Sequence, residues 1–158
     1  RRPRSRSGAW PAPSPAAGTA PSAADAGERL AAGRVAWPAR GALLYRFGRV
    51  VGANRTTTRW NGVGIAVPAG TAVRAAAPGR VVLAQAIGTY GLTVIVQHGG
   101  GDYSVYGSLA RADVRVGDAV ARGQALGAAG AADPDLPAHV HFELRPAGRA
   151  ADPLAYLR

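Results

Sequence analysis

The stretch His139-Val140-His141-Phe142-Glu143-Leu144-Arg145 alternates apolar and polar residues with a period of two. Successive side chains of a β-strand point to opposite faces, so its valine, phenylalanine and leucine are predicted to face a core. Both histidines, the glutamate and the arginine then share the other face. Residues two apart in a strand are separated by about 6.6 Å, so both imidazoles can reach one groove.

Six further apolar runs precede this stretch at a spacing of about ten residues, and glycine-rich turns separate them. They are residues 64–67, 72–77, 80–86, 92–97, 103–109 and 124–129. Regular short strands without a sustained helical period predict an all-β fold with a compact, sandwich-like core. The nearly continuous apolar run over residues 92–96 predicts a central strand that is buried on both faces. Gly99-Gly100-Gly101-Asp102 is predicted to turn the chain into the partner strand, because a positive φ is easily adopted only by glycine.

The beginning of the chain differs in composition from the rest of its 158 residues. Residues 1–24 hold five prolines, four arginines and no acidic residue, so they lack the apolar surface needed to fold. We expect a Pro/Ala/Arg-rich disordered linker over residues 1–34, with a short helical turn in residues 25–34, and one domain over residues 35–158. No signal-peptide pattern follows Arg1, so any targeting segment is expected to lie upstream.

The composition excludes several function classes. The absence of cysteine excludes disulfides, thiolate metal sites and a cysteine nucleophile. Lysine is also absent. This excludes a biotin or lipoate carrier, which needs an acceptor lysine, although residues 77–82 and 116–124 resemble the turns of such domains. No apolar run approaches the roughly 20 residues of a membrane helix. The formal net charge of +10 comes without a stacking motif or recognition helix, so nucleic-acid binding is not predicted.

Residues 35–158 resemble the LytM-type (M23, lysostaphin-like) peptidoglycan metallopeptidase domain, which implies an antiparallel β-sheet fold. The resemblance rests on segments in the family's order, each weak alone and specific in combination. They are residues 35–41, 62–65, 68–73, 76–82, 90–92, 98–99, 116–118, 123–124, 139–143 and 152–154.

The resemblance also implies which positions would carry the family's zinc chemistry. Active members bind Zn²⁺ through a histidine, an aspartate four residues later and the second histidine of an HxH pair. His141 matches the last ligand, whereas Trp60 and Gly64 stand at the other two positions. Of two assisting histidines, His139 is present and Ser108 replaces the other. A catalytic zinc site needs about three protein ligands, so no cofactor is expected, and weak zinc binding at the two histidines stays open.

Loss of the ligands on a retained scaffold resembles the EnvC-like group of degenerate LytM factors, which activate murein hydrolases. The resemblance implies a non-catalytic protein of the periplasm or cell envelope. It would bind a zinc-dependent N-acetylmuramoyl-L-alanine amidase, draw a blocking helix from the amidase's active site, and so promote septal peptidoglycan cleavage in cell division. The former substrate groove would contact the amidase, and peptidoglycan is a further candidate partner. The predicted groove residues are Trp60, Tyr103, Tyr106, His139, His141 and Arg145.

Two other functions stay open. A zinc endopeptidase that cuts peptidoglycan cross-links would need a metal site rebuilt with Glu143, Asp102 or Asp133. A peptidoglycan-binding module would use the groove without activating a partner. The retained HxH pair departs from the EnvC-like pattern, which often loses it. The third histidine, His98, follows the central strand and is predicted to be a turn residue without a catalytic role.

Overall fold

A computed structural model describes residues 28–51, 55, 57–133 and 135–158, without the side chain of Val50. These residues form β-strands and short 3₁₀ turns, and no α-helix occurs among them. The predicted all-β fold is confirmed. The strands are β1 Ala42–Tyr45, β2 Gly48–Val51, β3 Thr57–Trp60, β4 Val63–Ala66, β5 Ala72–Arg74, β6 Gly79–Ile87, β7 Gly91–Gln97, β8 Tyr103–Ala112, β9 Ala119–Val120, β10 Ala125–Ala129 and β11 His139–Arg145. The 3₁₀ turns are Gly88–Tyr90, Gly99–Gly101, Pro146–Gly148 and Pro153–Ala155.

Nine of the described strands form one antiparallel sheet. Its order is β1-β4-β11-β8-β7-β6-β9, and β10 pairs with both β8 and β5. Strands β2 and β3 form a separate two-stranded hairpin that leads into β4. The seven apolar runs correspond to β4 through β8, β10 and β11. The sequence patterns give no prediction for β1, β2, β3 or β9. Across the described residues, no helix has the length and apolar character needed to cross a membrane.

The main core lies on one face of this sheet. Val140, Phe142 and Leu144 of β11 are fully buried there, as their alternation predicts. Val94 of β7 and Tyr106 of β8 belong to the same cluster. Burying a large apolar side chain contributes about 1.5–3 kcal/mol, so this face fixes the register of β11. The register in turn places the histidines on the opposite face.

Strand β7 is the predicted central strand. Its Val94 joins the main core, while the neighbouring Ile95 joins a smaller cluster on the opposite face. After β7, Gly100 and Gly101 have φ values of 69° and 80°, which a side chain would oppose. The chain then returns as β8, antiparallel to β7. The predicted turn and its partner strand are therefore confirmed.

The folded part of the chain begins before the predicted boundary. Leu30 packs against the main core, and its amide donates to the buried carboxylate of Asp102 at 2.9 Å. The guanidinium of Arg29 lies 3.4 Å from the same carboxylate. Residues 28–34 therefore correct the linker prediction, because a carboxylate far away in the sequence holds them on the domain. In place of the helical turn predicted in residues 25–34, the described part has a turn closed by the amide of Arg34 and the carbonyl oxygen of Ala31, with a φ of 78° at Gly33 that is not helical. The linker prediction for residues 1–27 lies outside the described residues.

Candidate functional site

The positions that the family resemblance aligns with zinc ligands lie together in the structure. Gly64 of β4 is the direct cross-strand neighbour of His141 in β11. Trp60 is the last residue of β3, four residues before that glycine. On the other side of β4, Tyr45 at the end of β1 pairs with Gly64. The sheet register thus puts Tyr45, a residue that the sequence patterns do not single out, beside Gly64 and one strand away from His141.

The side chain of Tyr45 contacts each of these positions. Its ring stacks on Trp60 with centroids 3.7 Å apart and an interplanar angle of 13°. Its hydroxyl Oη lies 2.6 Å from Nδ1 of His141. A Cβ atom added to Gly64 would lie 2.4 Å from the ring, so only glycine admits the phenol here. Burial raises the pKa of Tyr45, which keeps the phenol protonated at neutral pH.

The other side of the His141 ring is held by Glu143. Nε2 of His141 donates to Oε2 of this carboxylate at 2.8 Å. The carboxylate is fully buried and also accepts from the hydroxyl of Tyr90 and, at 2.9 Å, from Nε of Arg145. Burial acts to raise the pKa of Glu143, but the hydrogen bonds and charges of these partners outweigh it and hold the pKa below its usual value. Both ring nitrogens of His141 are therefore engaged.

His139 and Ser108, aligned with the family's assisting histidines, have local partners instead. Nδ1 of His139 lies 2.9 Å from the carbonyl oxygen of Pro137. Since a carbonyl only accepts, this nitrogen carries a proton. Ser108 has a φ of 62°, and its hydroxyl oxygen accepts from the amide of Ala132 at 3.2 Å. Within the described residues, neither His139 nor Ser108 forms a hydrogen bond with His141.

Tyr106 is not a groove residue, and this part of the prediction is wrong. The residue lies opposite Phe142 in the sheet and is fully buried against its ring, with centroids 5.4 Å apart. Its hydroxyl accepts from the amide of Ala76 at 2.9 Å and lies 2.8 Å from Oγ of Ser104. The reason is the two-residue alternation of β8, which turns Tyr106 toward the core.

Of the remaining predicted groove residues, Tyr103, His139, His141 and Arg145 lie on one face of the sheet, and Trp60 of the separate hairpin joins them through its stack on Tyr45. Tyr103 pairs with Arg145, and Gly107 pairs with His141, across β8 and β11. Tyr103 is 8% exposed and both histidines are less exposed still. We call this surface, formed by Trp60, Tyr103, His139, His141 and Arg145, the histidine face. Its floor is largely filled by its own side chains. Trp60 and Arg145 are its partly exposed members.

His98 has the structural role that its position predicts. It is fully buried, with Nδ1 lying 2.6 Å from the carbonyl oxygen of Pro78 and Nε2 lying 2.8 Å from Oγ of Ser104. Burial lowers its pKa below the usual value. The imidazole thus links the turn before β6 to β8 inside the core, away from the histidine face.

The residues of the histidine face do not fit the zinc ion that the family resemblance implies. Trp60 and Gly64 present no ligand atom, and both nitrogens of His141 already have partners. Glu143 is enclosed by its three donors, and Asp102 anchors the N-terminal segment and the amide of Ala147. In the part of the chain that the structure describes, no group of three or more His, Cys, Asp or Glu residues is arranged to hold a metal ion.

Two residues of the candidate site, Tyr45 and Tyr90, could not be predicted from the sequence, and Glu143 is predicted only as a substitute ligand. A signal for Tyr45 exists, because a glycine inside a strand often marks the close approach of another group. Gly64 is such a glycine. The approaching group could not be identified, since β1 carries no clear alternation and its register with β4 is a long-range property.

Comparison with known proteins places this chain in a family. Murein hydrolase activator EnvC of Escherichia coli (strain K12) is 39% identical over 125 residues, which are 79% of this chain and 29% of that protein. Murein hydrolase activator NlpD of the same strain is 34% identical over 122 residues, or 77% of this chain and 30% of that protein. The chain therefore spans less than a third of the length of these relatives.

The catalytic domain of the antimicrobial peptidase lysostaphin from Staphylococcus simulans has a similar structure. Its TM-score is 0.64 at 26% identity, and the match covers 72% of this chain and 90% of that domain. The sequence model of peptidase family M23 matches residues 58–153, more than half of the chain. By sequence and by fold, the chain belongs to peptidase family M23.

Proposed function

We propose that this chain is a non-catalytic member of the family that activates a zinc-dependent N-acetylmuramoyl-L-alanine amidase during septal peptidoglycan cleavage. The observation that carries the proposal is the side-chain network of Tyr45, His141 and Glu143, which fills the place of a metal site while the sheet around it is kept. The likeness to the murein hydrolase activators EnvC and NlpD supports it. A periplasmic or cell-envelope location belongs to the same proposal.

In this proposal the histidine face binds a segment of the amidase and stabilises its open state. A binding partner shifts such an equilibrium only by the difference in its affinity for the two states. Trp60 and Arg145, the partly exposed members, provide an aromatic and a cationic contact, the residue types that dominate the energetics of many interfaces. Tyr103 and the two histidines form the floor beneath them.

The experiment is dye release from labelled peptidoglycan by this chain alone, by the amidase of the same organism alone, and by the mixture, each with and without added Zn²⁺. We expect release only when the amidase is present and strong stimulation by this chain. We expect Trp60→Ala to abolish most of the stimulation. The matched control is Val116→Ala, because Val116 is 61% exposed and precedes β9, at the opposite end of the sheet order from β1 and β4.

Each result has a defined meaning. Release by this chain alone that a chelator abolishes would establish a zinc endopeptidase and overturn the proposal. Absence of stimulation together with retention on purified sacculi would instead indicate a peptidoglycan-binding module. Equal loss of stimulation in the Trp60 and Val116 variants would contradict the assignment of the histidine face as the contact surface.

A further inference from the structure

One side chain, Tyr45, contacts every position at which the family's metal ligands would stand. It stacks on Trp60, hydrogen-bonds His141 and covers Gly64 so closely that a Cβ there would overlap its ring. These positions lie on three different strands, and Tyr45 itself belongs to a fourth. A single phenol therefore joins four strands at one point.

This junction matters for the hairpin of β2 and β3. Within the described residues, the backbone pairing of that hairpin is separate from the nine-stranded sheet. The stack of Tyr45 on Trp60 fastens its last residue to the sheet by a side-chain contact. The hydrogen bond to His141 then carries the connection across β4 to β11.

We infer that Tyr45 has taken over the cross-linking role of the lost metal, and that its ring is a third barrier to zinc binding besides the missing ligands at Trp60 and Gly64. Restoring those two ligands alone therefore leaves the site unable to bind zinc. The ring occupies the space into which an aspartate at position 64 would have to extend. The inference concerns this chain alone and does not depend on an amidase partner.

Zinc titration of rebuilt variants tests the barrier. In the Trp60→His and Gly64→Asp double variant, calorimetry should detect no stoichiometric zinc. Adding Tyr45→Ala should produce binding of one zinc ion per chain and a zinc-dependent rise in the unfolding temperature. Adding Tyr45→Phe instead should not, because the phenylalanine ring still fills the space. Zinc binding by the double variant, or its absence in a folded triple variant with alanine, would overturn the inference.

A metal-free measurement tests the same packing where a rebuilt variant fails to fold. Gly64→Ala should lower the unfolding temperature by about 4 °C or more, and this loss should shrink in a Tyr45→Ala background. Gly107→Ala is the matched control. Gly107 flanks His141 from β8, but a Cβ there would meet its nearest atoms at an ordinary 3.4 Å. Equal losses from Gly64→Ala in both backgrounds would contradict the claim that the ring fills this space.

Discussion

Glu143 is a single residue whose buried negative charge is stabilised by its hydrogen-bond partners. Its carboxylate has no exposure to solvent and relies on the imidazole of His141, the guanidinium of Arg145 and the hydroxyl of Tyr90. Removing a buried charge from such a set leaves the opposite charge without compensation, which is more costly than the pair itself is stabilising. This residue therefore governs the stability of the histidine face.

We predict that Glu143→Gln lowers the free energy of unfolding at pH 7 by about 3 kcal/mol. The folded-state pKa of Glu143 lies below its usual value of 4.5. Its stabilising contribution is therefore present above pH 4.5 and is lost as the pH falls from there through the folded-state pKa. The difference between wild type and variant should narrow in that range, as measured by urea unfolding. Asp135→Asn, which changes an exposed carboxylate, should show a much smaller difference at every pH.

The corrected position of Tyr106 leads to a second prediction. Tyr106→Phe removes the hydroxyl that accepts from the buried amide of Ala76, and an unpaired buried donor costs about 1–3 kcal/mol. We expect that loss of stability in denaturant unfolding, with stimulation of the amidase unchanged for folded protein. If Tyr106→Phe had normal stability but no longer stimulated the amidase, Tyr106 would have to be assigned to the contact surface after all.

At the scale of the element, the apolar pattern predicted the strands that carry the core. β7 and β11 are recognisable because burial imposes a period of two or a continuous apolar run. β3 is not, since Thr57–Trp60 is mostly exposed and polar, and β1 is only half-buried. The candidate site depends on these two strands. The resemblance could therefore align Trp60 and Gly64 with the family's ligand positions, but the contact of Tyr45 with them could not be predicted.

A third prediction concerns the segment that Asp102 holds. The carboxylate accepts from the amides of Leu30 and Ala147, so Asp102→Ala should release both segments. We expect hydrogen exchange at these two amides to accelerate at least about tenfold, the ratio that corresponds to 1.4 kcal/mol. Asp113→Ala is the control, since that carboxylate is exposed and pairs with exposed Arg111. Unchanged exchange at Leu30 in the Asp102 variant would contradict the anchoring role.

For the molecule as a whole, nine of the described strands form one sheet, and its two faces have different roles. One face of the sheet packs against the main core. The other face carries the histidine face and, next to it, a smaller apolar cluster that includes Tyr103. The sequence was sufficient to predict this division, because alternation assigns each residue of β11 to a face. Long-range register, which decides which side chains meet across the faces, follows only from the folded sheet.

The fourth prediction is that metal removal leaves the whole domain unaffected. The contacts that join the strands around His141 are made by side chains, so neither a chelator nor one equivalent of Zn²⁺ should shift the unfolding temperature. Differential scanning calorimetry measures this directly. A rise of several degrees with stoichiometric zinc would show that the histidines still bind the ion.

The fit of Tyr45 over Gly64 also bears on how such a protein evolves. Each single step back toward a metal site would disturb this packing: an aspartate at position 64 would overlap the phenol, a histidine at position 60 would remove the indole that stacks on it, and loss of Tyr45 would leave an imidazole nitrogen without its partner. No one of these changes creates a complete ligand set. If the inference about Tyr45 holds, a return to a metal site would need several changes together, because each single change disturbs the packing of this tyrosine before the ligand set is complete.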